Sequence, residues 1–322
     1  MDERPIIVIP GDQYPGFLLP SNLVRLQSYG ELRIFAPPLR DVNEFVRRTE
    51  DATIIVSSTL AIPPATFGSL KKLKMIALPG IGTDLIPLEE AAKRGIVVAN
   101  IPNTTSYMVA EHAVALMLGV AKQLAYQTAA MRAGRWEDVG TLLLHGKVLG
   151  IIGTGGIGSQ VARLGNAFGM DVIAWTAHPS LPRAEALGVN YVELDKLLQD
   201  SDVIIICIPL TSTTQHLIGH REFGIVKSGV ILVNVSRGKI VDQDALVSAL
   251  NTGEVGGAGL DVFEEEPVGE NNPLLRMNNV VVTPHSAGTT WDTWSRRAEF
   301  AYNNIKRVSE GELPLAVIRD EI

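Results

Sequence analysis

The sequence predicts an α/β protein made of two doubly wound parallel-sheet domains. Three observations carry this. The chain has 322 residues, beyond the ~250–300 at which a single core stops growing, so two domains are expected. Short Val/Ile-rich runs recur along it, with helical patterns filling most of the gaps, as in parallel strands covered by helices on both faces. One of these runs leads straight into a glycine-rich turn, Gly153-Thr154-Gly155-Gly156-Ile157-Gly158.

Strands are expected at 5–9, 32–35, 53–56, 74–78, 96–98, 148–152, 171–175, 202–208, 230–235 and 279–283. The runs at 148–152 and 202–208 are apolar without alternation, which suits strands covered on both sides. Two segments read as long domain-linking helices. The first, 104–123, is apolar nearly all round and is therefore expected to be buried between domains or subunits. Thr104 or Thr105 is its expected N-cap. The second, 291–310, follows Gly288 and carries the chain back toward the first domain. The stretch 124–146, with Met131-Arg132-Ala133-Gly134-Arg135-Trp136, is less regular and too long for a simple connector. It reads as an arm packing on a partner.

Composition narrows the function classes. Hydrophobic residues make up 46%, ample for packed cores. The net charge is -7, from 28 basic and 35 acidic residues with no basic cluster, which argues against nucleic acid or an anionic membrane as partner. The single cysteine, Cys207, rules out an intrachain disulfide framework and suits a reducing compartment. Its place in Val203-Ile204-Ile205-Ile206-Cys207-Ile208 makes it a buried strand thiol. The N-terminus lacks the features of a signal peptide. The longest apolar stretch, 113–121, falls short of the ~20 residues of a membrane span. A cytoplasmic protein is expected.

The glycine run has the right context for a dinucleotide. It follows the strand Val148-Leu149-Gly150-Ile151-Ile152 and opens a helix that continues to Phe168. Gly153 permits the tight turn, Gly155 lets a pyrophosphate approach the backbone, and Gly158 lets helix and strand pack closely. The helix N-terminus offers amide donors to phosphate. An acidic residue is then expected at the end of the next strand, to hold the adenosine ribose. Thr176 stands there instead, and Asp171 sits at the wrong end of that strand. A missing carboxylate removes repulsion toward a 2′-phosphate without supplying attraction, although His178 and Arg183 follow nearby. NAD and NADP both stay open, with NAD slightly favoured.

Downstream, three reactive side chains sit in turn-like frames: Asn234-Val235-Ser236-Arg237-Gly238, Glu264-Glu265-Glu266-Pro267 and Thr283-Pro284-His285-Ser286. Arginine grips a carboxylate as a planar fork. A histidine held by a carboxylate moves a proton beside a hydride transfer. Taken singly, each has an ordinary structural reading: a strand-end cap, a solvated acidic turn, a buried turn histidine. Taken with the nucleotide signal, they form a catalytic set. His112, His145 and His216 read as structural, His216 in a helical turn. The chain has no HExxH or CxxC, so no metal is expected and zinc-dependent alcohol dehydrogenation is disfavoured.

With Gly80-Ile81-Gly82-Thr83-Asp84, the glycine run, the Arg237 frame, the segment from Gly259 to Pro267 and Thr283-Pro284-His285, the chain resembles the D-isomer-specific 2-hydroxyacid dehydrogenases over its whole length. The resemblance is weakest over the first 70 residues. It implies a Rossmann cofactor domain, 101–287, inserted into a discontinuous flavodoxin-like substrate domain, 1–100 and 288–322. It implies Arg237, Glu266 and His285 as catalytic residues, and Ile81 and Gly82, with Arg237, as binders of the substrate carboxylate. It implies cofactor contacts from Gly153, Gly155, Gly156, Ile157, Gly158, Thr176, Ile208, Pro209, Val235, Ser236, Arg237, Asp261, His285 and Gly288. Within these, Asp261 and the carbonyl near Val235 hold the nicotinamide carboxamide, and Ile208 and Pro209 line the adenine pocket. The implied reaction joins NAD(P)(H) with a small 2-oxo or D-2-hydroxy acid, and the implied assembly is a homodimer through 104–146. Formate or phosphite oxidation on the same scaffold is the alternative chemistry. Formate enzymes of the family replace the glutamate by glutamine, so Glu266 argues against formate. A non-catalytic NAD-sensing interaction protein is the alternative class.

Overall fold

A computed structural model describes residues 4–11, 20–36, 39, 41–57, 60–80, 82–101 and 106–315, with the backbone alone at 291–296. Ile81, Thr104 and Thr105 therefore lie outside the described residues. These residues fall into two compact units, drawn from Met1–Thr104 with Thr290–Ile322, and from Thr105–Thr289.

The first unit holds strands β1 (Ile6–Ile9), β2 (Glu31–Ile34), β3 (Ile54–Val56), β4 (Met75–Ala77) and β5 (Val97–Ala99). They form one sheet in the order β2-β1-β3-β4-β5, parallel throughout. Helices α1 (Pro20–Tyr29), α2 (Val42–Thr49) and α3 (Leu88–Lys93) connect the strands. The Asp41 side chain caps α2 by accepting from the Glu44 amide at 2.8 Å.

The second unit begins with α4 (Ser106–Ala121) and α5 (Leu124–Arg132). Then come β6 (Val148–Ile152), α6 (Gly156–Ala167), β7 (Asp171–Trp175), α7 (Leu181–Leu187), β8 (Asn190–Tyr191), α8 (Leu194–Asp200) and β9 (Val203–Ile206). The unit ends with α9 (His220–Phe223), β10 (Val230–Asn234), α10 (Gln243–Thr252), β11 (Val255–Leu260) and β12 (Val280–Val282). Its sheet runs β12-β11-β10-β9-β6-β7-β8, again all parallel. The order reverses between β6 and β9, which opens a crevice at the carboxyl ends of those strands. The last helix, α11 (Trp291–Ser309), returns to the first unit, where Ala298, Ala301, Tyr302 and Ile305 join Ile7, Ile54 and Met75 in its core.

Two expectations change. The stretch 124–146 opens with a regular helix, α5. The strand β11 was not expected at all; its sequence, Val-Gly-Gly-Ala-Gly-Leu, lacks both alternation and β-formers. The helix α4 is buried as expected, with Val109, Ala113, Leu116, Met117 and Val120 in the core of its own unit. Among the described residues no single helix is long and apolar enough to cross a membrane.

Candidate active site

The site of the second unit is built on the carboxyl ends of its strands. After β6 the chain turns through Gly153, whose φ of 98° lies in the left-handed region that favours glycine. A Cβ there would stand 2.5 Å from the Ile208 side chain and 2.8 Å from the Cys207 carbonyl oxygen. A Cβ at Gly158 would stand 1.8 Å from the Gly153 carbonyl oxygen, so α6 presses directly on the turn. Gly155 is different: nothing lies within 4 Å of its added Cβ. It is the N-cap of α6, with no side-chain cap and no acidic residue in the first turn. The amides of Gly156, Ile157 and Gly158 thus open an uncapped helix start beside free space, which fits a pyrophosphate. Thr154 is buried and its hydroxyl meets the Tyr191 hydroxyl at 2.7 Å, tying the turn to β8.

Thr176 directly follows β7, and Asp171 begins that strand at the opposite edge of the sheet. Ile208 and exposed Pro209 follow β9. Cys207 lies just past β9 rather than within it, and its amide donates to the Ile152 carbonyl at 2.8 Å.

Arg237 follows β10. Asn234 organises its turn: the Asn234 side chain accepts from the Ser236 amide at 3.0 Å and donates to the Arg237 carbonyl at 2.9 Å. The Ser236 hydroxyl donates to the Ile206 carbonyl at 2.9 Å, and Arg237 Nη1 donates to the Ser236 carbonyl at 2.8 Å. Val235 and Ser236 are buried.

Asp261 directly follows β11 and is buried. Its Oδ1 accepts from the Thr283 hydroxyl at 2.6 Å and the Ser286 amide at 2.8 Å; Oδ2 accepts from the Ala287 amide at 2.9 Å. His112 Nε2 also lies 3.5 Å from Oδ1. The Asp261 carbonyl also accepts from the His285 amide at 2.8 Å, so this one residue shapes the turn that presents His285. His112 of α4 joins it, with Nε2 at 2.9 Å from the Thr283 hydroxyl oxygen. That hydroxyl proton goes to Asp261, so the His112 nitrogen is the donor.

His285 adopts a left-handed φ of 50°. Its Nδ1 lies 2.6 Å from Glu266 Oε2, and Glu266 Oε1 accepts from the Phe263 amide at 2.9 Å. The Glu266-Pro267 peptide bond is cis. Burial opposes ionisation of Glu266, but the His285 hydrogen bond, the Phe263 amide and the charge of Arg237 outweigh it and hold the carboxyl below its ordinary range. With Nδ1 engaged, Nε2 of the half-exposed His285 ring is the nitrogen left to exchange a proton.

Gly82 lies exposed in the loop after β4 of the first unit. Gly288 closes the His285 segment. Among the described residues no three His, Cys, Asp or Glu side chains group to hold a metal ion.

A sheet with a β6–β9 switch point, an uncapped glycine turn on it and a carboxylate–histidine pair beside it define a dinucleotide-dependent dehydrogenase. The comparisons with known proteins agree. Residues 114–287 match the family model of the D-isomer specific 2-hydroxyacid dehydrogenase, NAD binding domain. The chain is 37% identical over 311 residues to a glyoxylate reductase of Korarchaeum cryptofilum, covering 94% of this chain and 93% of that one. A crystal structure of a glyoxylate reductase from Paecilomyes thermophila superposes with a TM-score of 0.86 at 32% identity, over 100% of both chains. The Aquifex aeolicus D-lactate dehydrogenase complexed with NAD and lactic acid superposes with a TM-score of 0.85 at 30% identity, over 95% of this chain and 96% of that one. The chain belongs to the D-isomer-specific 2-hydroxyacid dehydrogenase family, whose NAD(P)-linked chemistry moves a hydride between cofactor and 2-oxo or 2-hydroxy acids.

Proposed function

We propose that this enzyme reduces a small 2-oxo acid to the D-2-hydroxy acid, glyoxylate first among the substrates to test, with Arg237, Glu266 and His285 as its catalytic set. The observation that carries this is the 2.6 Å contact of His285 Nδ1 with Glu266, near Arg237 at the carboxyl ends of the strands. The choice of glyoxylate rests on relatives named for it, at 37% and 36% identity.

The Arg237 guanidinium binds the substrate carboxylate and polarises its carbonyl oxygen. A role for Ile81 and Gly82 in binding the substrate carboxylate rests on the family resemblance alone. Nicotinamide, when bound, supplies the hydride at C4. His285 delivers the Nε2 proton to the developing alkoxide and takes it back in the oxidation direction. Glu266 holds the ring at Nδ1 and favours its charged form. The α6 amides receive the pyrophosphate, and Asp261, with the Val235 carbonyl, receives the carboxamide. Thr176 leaves NADH and NADPH both to be tested, with NADH favoured slightly.

We further propose a cytoplasmic homodimer joined through 104–146. Support comes from the reducing setting that suits the one thiol and from the exposed apolar side chains of that segment, Trp136 above all.

The test is a steady-state panel of glyoxylate, hydroxypyruvate, 3-phosphohydroxypyruvate and pyruvate against each cofactor. Turnover is expected, and His285→Ala should lower kcat by ~10²–10⁴. Tight binding of NADH with no acid turned over would sink the reading.

A further inference from the structure

We infer that His216 is a positioning residue that straps together the two loops carrying Arg237 and Glu266; this rests on the catalytic reading above. The two loops meet backbone to backbone. A Cβ on Gly238 would stand 1.8 Å from the Phe263 carbonyl carbon, 2.0 Å from its oxygen and 2.3 Å from the Glu264 nitrogen. One residue past that seam on each side, His216 joins them. Its amide donates to the Lys239 carbonyl at 2.8 Å, and its Nε2 lies 3.0 Å from Glu264 Oε1. The same Glu264 oxygen accepts from the Gln243 amide at 3.0 Å, which anchors the strap to the start of α10. Behind His216, the Ile218 amide donates to the Ile240 carbonyl at 3.2 Å, so the whole segment is laced to the turn that follows Arg237.

Two further features argue that the strap is built for this place. His216 has a φ of 50°, and among the described residues only Gln123 and His285 share a left-handed backbone without being glycine. Such residues are uncommon and concentrate where surrounding structure over-determines them. The seam is also fixed from the core side, where Val241, Leu246, Leu260, Phe263 and Leu274 are buried in one cluster, so the strap closes the side that faces away from that core. Glu264 stands two residues before Glu266, and Lys239 two after Arg237. Releasing the strap therefore shifts both catalytic side chains. The contact needs only a proton on Nε2 and holds for neutral or charged imidazole.

The test uses the full-length chain with His216→Gly, Glu264→Ala and the conservative His216→Gln and Glu264→Gln. Glycine tolerates the left-handed backbone and keeps the amide, so His216→Gly removes the ring with the least risk to folding. We expect kcat to fall about tenfold in His216→Gly and Glu264→Ala, with KM for NADH and for the acid within about twofold, as for mis-set geometry. The deuterium isotope effect on kcat, with NADH labelled at the transferred C4 hydrogen, should rise. Both Gln variants should recover most of the rate, and the double variant should be no worse than either single one. An activity-independent readout is the low-field Nδ1 proton resonance of His285, assigned by its loss in His285→Ala; it should move upfield in His216→Gly. Wild-type kcat and an unmoved resonance in His216→Gly would overturn the strap, as would a loss confined to KM for NADH. If the wild type turns over no acid, the catalytic reading fails, and the resonance alone decides whether His216 sets the His285–Glu266 contact.

Discussion

Glu266 carries opposing influences whose balance is measurable. Burial raises the cost of its charge, yet the His285 contact, the Phe263 amide and Arg237 leave its carboxyl below the ordinary value of 4.5. A folded value depressed below the unfolded one stabilises the fold above the unfolded value, and that stabilisation is lost as the pH falls through the depressed value. Glu266→Gln should therefore melt below the wild type at pH 7, and the gap should close as the pH drops below 4.5, as thermal melts across that range will read. Cys207 shows the reverse effect. Burial pushes its thiol up to about 12, so at pH 8 the thiolate fraction is on the order of 10⁻⁴. Cys207 is only partly buried, so iodoacetamide at pH 8 should still label the native chain, but far more slowly than the unfolded chain; equal rates would contradict the raised thiol. Arg237, Glu266 and His285 were legible because each sits in a short frame whose turn residues mark it. The role of Glu264 and His216 was not. Their contact spans residues 216 to 264, no spacing rule links them, and the left-handed turn of His216 was mistaken for a helical one.

The strand β11 is hidden from sequence reading because its conformation is decided by its neighbours. Glycines at 256, 257 and 259 disfavour a strand by propensity, yet β11 runs between β10 and β12. The helix α4 crosses it closely. A Cβ on Gly257 would stand 2.6 Å from Val120 Cγ1 and 2.8 Å from the Asn279 carbonyl oxygen, and one on Gly259 would stand 2.8 Å from Leu116 Cβ. The absence of side chains there is what lets α4 bury its apolar face on the sheet. Gly257→Ala should cost ~1–3 kcal/mol, the usual range for overpacking, against the ~0.4–1 kcal/mol that Gly→Ala gains where it is compatible. Urea unfolding should show a lower midpoint at unchanged slope; a midpoint equal to or above the wild type would refute the close approach. The helix α5 escaped notice for another reason. Only Ala130 of its residues is buried, so it shows no apolar stripe to read.

At the scale of the whole molecule, alternation of strands and helices was enough to give two parallel sheets, because parallel neighbours need crossover helices. The sheet orders, and with them the β6–β9 switch point, were not readable from local pattern, since pairing depends on contacts between distant segments. The poorly striped face of α5 points to a scale beyond one chain. Along the segment from α4 to β6, Tyr107 is 63% exposed, Leu124 53%, Met131 54%, Trp136 89% and Leu143 65%. A tryptophan left almost wholly in water forgoes burial of ~150–250 Å², a large share of what a central interface residue contributes. A second copy of this unit, presenting the same patch across a two-fold axis, would cover it. Light scattering on the eluted wild type should therefore give twice 34.7 kDa. Trp136→Glu should shift the mass toward 34.7 kDa while leaving the melting curve cooperative, since the side chain supports no core of its own unit. A wild type that elutes as a monomer at micromolar concentration, or a Trp136→Glu variant that stays dimeric, would assign this apolar surface to something other than a second copy.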